Sequence, residues 1–153
     1  MARNHGKNKN YKEKTPKEIA DVIDDIKSCN MLKDLNKEKI FNDDDGLAYV
    51  VADYYVNDLN TNQLRKFFEA IREMEKKKKW EDMESDFYLL KPRMAVSVGR
   101  KHIKKPFFDV INAAMNKVKV GTSDEKLENF KVFVEFFEAI VAYHKYLEVI
   151  YNV

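Results

Sequence analysis

Residues 89–107 read LLKPRMAVSVGRKHIKKPF and hold six cations, Lys91, Arg93, Arg100, Lys101, Lys104 and Lys105, with no Asp or Glu among them. The nearest acids along the chain are Asp86 and Asp109. A run unbalanced in this way suits a polyanion, because Lys and Arg neutralise phosphates and release their counterions. Arginine adds a planar fork that fits two phosphate oxygens at once. On a continuous helix Arg93, Ser97, Arg100 and Lys104 fall within about 60° of one another, and Arg93 and Arg100 stand roughly 10 Å apart along the axis. A stripe of that spacing follows a phosphate backbone without reading bases. Gly99 beside it lets a backbone come close. A second pair, Arg65 and Arg72, lies seven residues apart in NQLRKFFEAIREMEKKKKW, so the two share a helix face within about 20°. Lys76 and Lys79 continue that flank, while Glu69 can pair with either arginine. The same cations could instead serve acids of this chain or of a protein partner.

No other residue types are spaced for chemistry. His5, His102 and His144 stand alone, with no second His at metal spacing. His144 falls on the edge of an apolar stripe and reads as a hydrogen-bonded core residue. There is no glycine-rich phosphate loop, nucleophile elbow or Cys–His pair. The single Cys29 excludes an internal disulfide and a cysteine-based zinc site, and reads as core filling. NDDDG at 42–46 lacks the alternating oxygens and distal bidentate Glu of a calcium loop. Its acids suit the N-terminal end of a helix dipole. The expectation is a non-catalytic protein with no metal and no cofactor.

The elements that position the cations follow from length, charge and periodicity. With 153 residues, 44% hydrophobic, the chain can bury one core, and 35% charged residues keep it soluble. No apolar run approaches a membrane span and no secretory leader opens the chain, so a cytoplasmic protein without membrane contact is expected. The net charge of +2 conceals a polarity. Residues 1–14 hold five basic and one acidic residue, 15–60 five and eleven, 61–105 thirteen and seven, and 106–153 five and seven. Residues 1–14 are expected to form a disordered, basic tail, and 15–153 a single helical-bundle domain.

Within that domain Thr15-Pro16 reads as a cap and first helical residue, followed by Ile19, Val22, Ile23 and Ile26 at helical spacing. Residues 34–46 read as a connection with a short turn. A second helix is expected over 47–59. A third, capped by Asn60 or Thr61, runs on to the lysines at 76–79. A fourth carries Phe87, Leu90, Met94 and Val98, restarting or bending at Pro92. Pro106 opens a fifth. Gly121 and a Thr122–Glu125 capping box precede a long last helix over 124–151. No strand signal survives, so the fold is all-α, a compact bundle of five or six helices.

Three stretches resemble one family. TNQLRKFFEAI has a polar cap followed by Leu-Arg-Lys and aromatics. FYLLKPRMAVSVGR has Leu-Lys-Pro-Arg, an apolar run and Gly-Arg in order. NFKVFVEFFEAIVAYHK has an aromatic helix ending in an Ala-Tyr pair. Together they span about 61–145 and resemble the small helical subunit of type III-A CRISPR effector complexes, the Csm complexes. Val96 and Val98 stand where that family more often has smaller or aromatic residues. The resemblance implies a non-catalytic antiviral-defence subunit. Its expected partners are guide RNA and target RNA backbone, other Csm complex subunits and further copies of itself. Carried over by position, Arg65, Lys91, Arg93 and Arg100 become RNA contacts. Arg72, Lys101 and Lys104 join them from the stripe argument alone, and Lys105 reads as a solvated helix end. The alternative is an architectural helical protein-interaction subunit without direct RNA contact.

Overall fold

The computed structural model describes residues 14–153; the segment expected as a basic tail lies outside the described residues, except for Lys14. The described residues form seven α-helices, one 3₁₀ turn and no strand. In chain order the helices are α1 (Lys17–Ser28), α2 (Lys37–Phe41), α3 (Leu47–Tyr54), α4 (Thr61–Glu75), α5 (Trp80–Gly99), α6 (Lys105–Val118) and α7 (Ser123–Tyr151), with the 3₁₀ turn Leu32–Asp34 between α1 and α2. The all-α fold is as expected, and six of the helices are those read from the sequence.

The seventh is α2, in a stretch read as a connection. Asn36 caps it by accepting the Glu38 and Lys39 backbone N–H groups. Ile40 is the one residue it buries, too short a stripe for periodicity to register. Three boundaries also shift. The helix expected over 47–59 stops at Tyr54. The third helix stops at Glu75, where the backbone turns through Lys78 at φ 68°. Trp80 instead opens α5, buried edge-on against Phe87 at 5.4 Å. Pro16, not Thr15, occupies the cap position of α1, with no side-chain cap bond.

α7 organises the rest. Its capping box forms as expected, with the Glu125 N–H donating to Thr122 Oγ1 and the Thr122 N–H to Glu125 Oε1. Phe130, Phe133, Val134, Phe136, Phe137, Ile140, His144 and Leu147 are all buried, which is more than one stripe of the helix. α3, α4, α5 and α6 all pack on it. Phe87 of α5 meets Phe130 and Phe133 edge-on at 5.9 and 5.7 Å, and Phe68 of α4 stacks on Phe137 at 6.2 Å. Such pairs add about 0.5–1.5 kcal/mol each beyond the burial of their area.

Two polar residues sit in this apolar setting. His144 is buried, as its sequence position suggested, and its Nδ1 lies 3.9 Å from Glu148. Burial holds its pKa below the usual histidine value, against the opposing pull of Glu148. Asn129 is fully buried and joins three segments. Its Oδ1 accepts the Lys33 N–H at 2.8 Å, and its Nδ2 lies 3.3 and 3.2 Å from the Val118 and Val120 carbonyls. It therefore satisfies the end of α6 and the 3₁₀ turn from the side of α7. Asn129→Ala leaves those buried groups unpaired, at about 1–3 kcal/mol each before relaxation. Urea unfolding should show a loss of about 2–4 kcal/mol; a loss under about 1 kcal/mol would mean that the three segments hold together without it.

Candidate nucleic-acid interface

α5 and the elbow that follows it carry five of the seven cations singled out in the sequence, Lys91, Arg93, Arg100, Lys101 and Lys104. Its buried residues Trp80, Met83, Phe87, Leu90, Met94 and Ser97 recur at three and four, and Glu81 and Asp82 complement its N-terminal dipole. The helix runs through Pro92 without interruption. Pro92 is exposed and has no N–H to give the Tyr88 carbonyl.

The helix ends in a two-bond cap. The Lys101 N–H reaches the Val98 carbonyl at 2.9 Å and the His102 N–H reaches the Ser97 carbonyl at 2.8 Å. That arrangement places Lys101 in the left-handed region, φ 63°. A non-glycine residue there costs roughly 1–2 kcal/mol, which the two bonds and the burial of Ile103 offset.

The cap overturns one expectation. The stripe Arg93–Ser97–Arg100–Lys104 required a helix continuous to Lys104, but Arg100 is the C-cap of α5 and Lys104 the N-cap residue of α6. Ser97, expected within the exposed stripe, is 7% exposed and directs its hydroxyl at Gln63 of α4, 3.3 Å away. Arg93 and Arg100 remain, both exposed on the flank of α5 beside α4. Lys101 and Lys104 are exposed on the elbow between α5 and α6.

The other expected contacts lie elsewhere. Lys91 is about 160° around α5 from Arg93, on the opposite flank. There its charge lowers the pKa of Lys119, after burial, and the Lys119 ammonium stands 5.5 Å over the Tyr88 ring. Arg65 and Arg72 are exposed on α4, but about 160° or more around that helix from Gln63, so they face away from α5. Arg72 is engaged locally, paired with Glu75 at 3.3 Å and set 5.7 Å from the Phe68 ring. The seven residues thus form four groups and not one stripe.

Between the two basic edges of α5 lies an exposed ridge without charge: Tyr88, Leu89, Pro92, Ala95, Val96 and Gly99. Two cations missed in the sequence border it. Lys66 is exposed and about 60° from Gln63, on the side of α4 towards Arg93 and Arg100. Lys119 joins Lys91. Lys66 could have been found from its i,i+3 spacing to Gln63; Lys119 had no signal beyond its charge.

The described residues thus make a small all-α protein with cations edging one exposed helix. Residues 38–149 match the family model described as Csm2 Type III-A, and the chain belongs to that family, the small subunit of the type III-A Csm CRISPR complex. No curated protein and no solved structure gives a significant match. The matched range contains all seven expected contacts and both added ones.

Gly99 has no internal reason to be glycine. A Cβ placed there meets nothing within 4 Å, and its φ is not positive. Gly99→Ala should therefore stabilise the isolated chain by about 0.5 kcal/mol through helix propensity, raising the melting temperature by about 1–2 °C. A lower melting temperature would show that the fold itself requires glycine there.

Proposed function

We propose that this chain is a non-catalytic subunit that holds guide and target RNA by the sugar–phosphate backbone within the type III-A Csm complex. The observation that carries the reading is the uncharged ridge of α5, edged by Arg93, Arg100 and Lys66 on one side and by Lys91 and Lys119 on the other. Backbone contacts suit an assembly whose guides differ in sequence, because phosphates carry no base identity. Tyr88 offers a base or ribose the ring face that Lys119 does not cover. Lys101 and Lys104 extend the contact around the elbow. Arg65 and Arg72 belong to a separate face and make the weaker candidates.

One copy neutralising about three phosphates of a single strand gives a log–log salt slope near −2, hence weak binding alone. Copies held in a row with other Csm complex subunits gain avidity through effective concentration. The chain would work in the cytoplasm, and the one hydrophobic core shared by the described helices supports a single domain over 15–153. Arg93→Ala with Arg100→Ala removes two exposed side chains that pack on no core. In the assembled complex this pair should reduce RNA retention and flatten the salt slope by about 1.4, with the circular dichroism unchanged. Retention and slope equal to those of the parent complex would exclude the α5 flank as an RNA contact.

A further inference from the structure

We propose that the C-terminal half of α7, with the loop between α2 and α3, is a docking surface for a basic amphipathic helix of a protein partner. Ala142, Tyr146, Val149 and Ile150 recur at i, i+4, i+7 and i+8 and fall within about 100° on the helix. This is the spacing of a core-facing stripe. Here it faces outward: Tyr146 is 54%, Val149 68% and Ile150 57% exposed, and Val153 beyond the helix end 61%. Nothing among the described residues covers it, although α7 buries most of its circumference further back.

The stripe continues into a cleft. Ala142 and Tyr146 also line an open cavity of about 550 Å³ with Asp43, Asp44, Tyr49 and Tyr143. Asp43 and Asp44 are exposed and, among the described residues, have no ion-pair partner. The loop that presents them is tightly wound. Asn42 Nδ2 donates to Asp45 at 2.9 Å, Asp44 has φ 66°, and a Cβ on Gly46 would run into the Asn42 backbone. Tyr49 and Tyr143 meet edge-on at 5.1 Å, and the Tyr143 hydroxyl donates to the Phe41 carbonyl at 2.6 Å. The phenols register the field of these acids. Burial first, and then Asp53, Asp44 and Asp43, raise the pKa of Tyr49; burial and Asp43 raise that of Tyr143.

Charge and area together choose the occupant. An acidic cleft repels phosphate, which excludes RNA and anionic lipid. Tyrosine faces between carboxylates suit a guanidinium or ammonium group. Lys145, the nearest cation on α7, sits on the stripe's far edge, about 80° from its centre. The stripe alone offers a few hundred Å², below the roughly 800 Å² per partner of a stable interface. A partner must therefore engage the cleft as well, so its apolar face has to be bordered by Lys or Arg.

The test uses the full chain and a fluorescein-labelled helical peptide of Leu and Lys, with a Leu/Glu counterpart, read by anisotropy. The Leu/Lys peptide should bind and the Leu/Glu peptide should not. Asp43→Asn with Asp44→Asn, and separately Ile150→Glu, should each weaken binding tenfold or more with unchanged circular dichroism. The control Asp124→Asn with Glu128→Gln, at the other end of α7, should bind like the parent. Equal binding of both peptides, equal loss in the control, or no loss in the two surface variants would overturn the proposal. So would a dimer in sedimentation equilibrium that Ile150→Glu dissolves, which assigns the stripe to a second copy. Binding to phosphatidylglycerol vesicles lost in Ile150→Glu would assign it to lipid and overturn it equally.

Discussion

The burial of α7 is the constraint that the other helices obey. Three of its phenylalanines, Phe130, Phe133 and Phe137, are fully buried, and no single neighbour can cover them. α5 supplies Phe87, α4 supplies Phe68, and α3 and α6 close the remaining sides. Once α5 is committed to that aromatic cluster through Phe87, Leu90 and Met94, its rotation about its own axis is fixed. The same rotation buries Ser97 against α4 and turns Arg93, Arg100, Tyr88 and Lys91 outward. The charge pattern of the surface is thus a consequence of core packing.

Two surfaces of opposite character result. Around α5 and its elbow the chain presents cations beside an uncharged ridge. Around the α2–α3 loop and the end of α7 it presents carboxylates, tyrosines and apolar side chains. The RNA contact proposed for α5 would call for both kinds of surface, because weak backbone binding by one copy would have to be supplemented by contacts with protein neighbours. The polarity seen along the chain, acidic over 15–60 and basic over 61–105, therefore survives folding as a polarity in space.

Much of this was legible in the sequence, and the exceptions have physical causes. Long amphipathic helices, the Asn60 cap of α4 and the Thr122–Glu125 capping box depend on local chemistry, so spacing revealed them. α2 is only five residues and buries one side chain, which leaves no period to detect. The cation stripe failed at Lys104 because a lysine in the left-handed region ended α5, a position where glycine would have been the usual signal. Lys91 and Arg93 are neighbours in sequence yet lie on opposite flanks, since two helical steps turn a side chain through about 200°. Lys119 reached the site only through the packing of α6 beside α5, and nothing local in the sequence announces that. The family resemblance pointed to α5 and its elbow, while the arrangement of cations within them needed coordinates.

The central claim is that α5 meets RNA along its uncharged ridge and basic edges. The most direct measurement is ultraviolet crosslinking of RNA in the assembled complex, with the crosslinked residues of this chain located by mass spectrometry. The account predicts adducts at Tyr88 and along the segment from Lys91 to Lys101, with none on Tyr49, Tyr143 or Tyr146 of the acidic cleft. Adducts confined to the cleft, or none on α5 while neighbouring subunits crosslink efficiently, would contradict it.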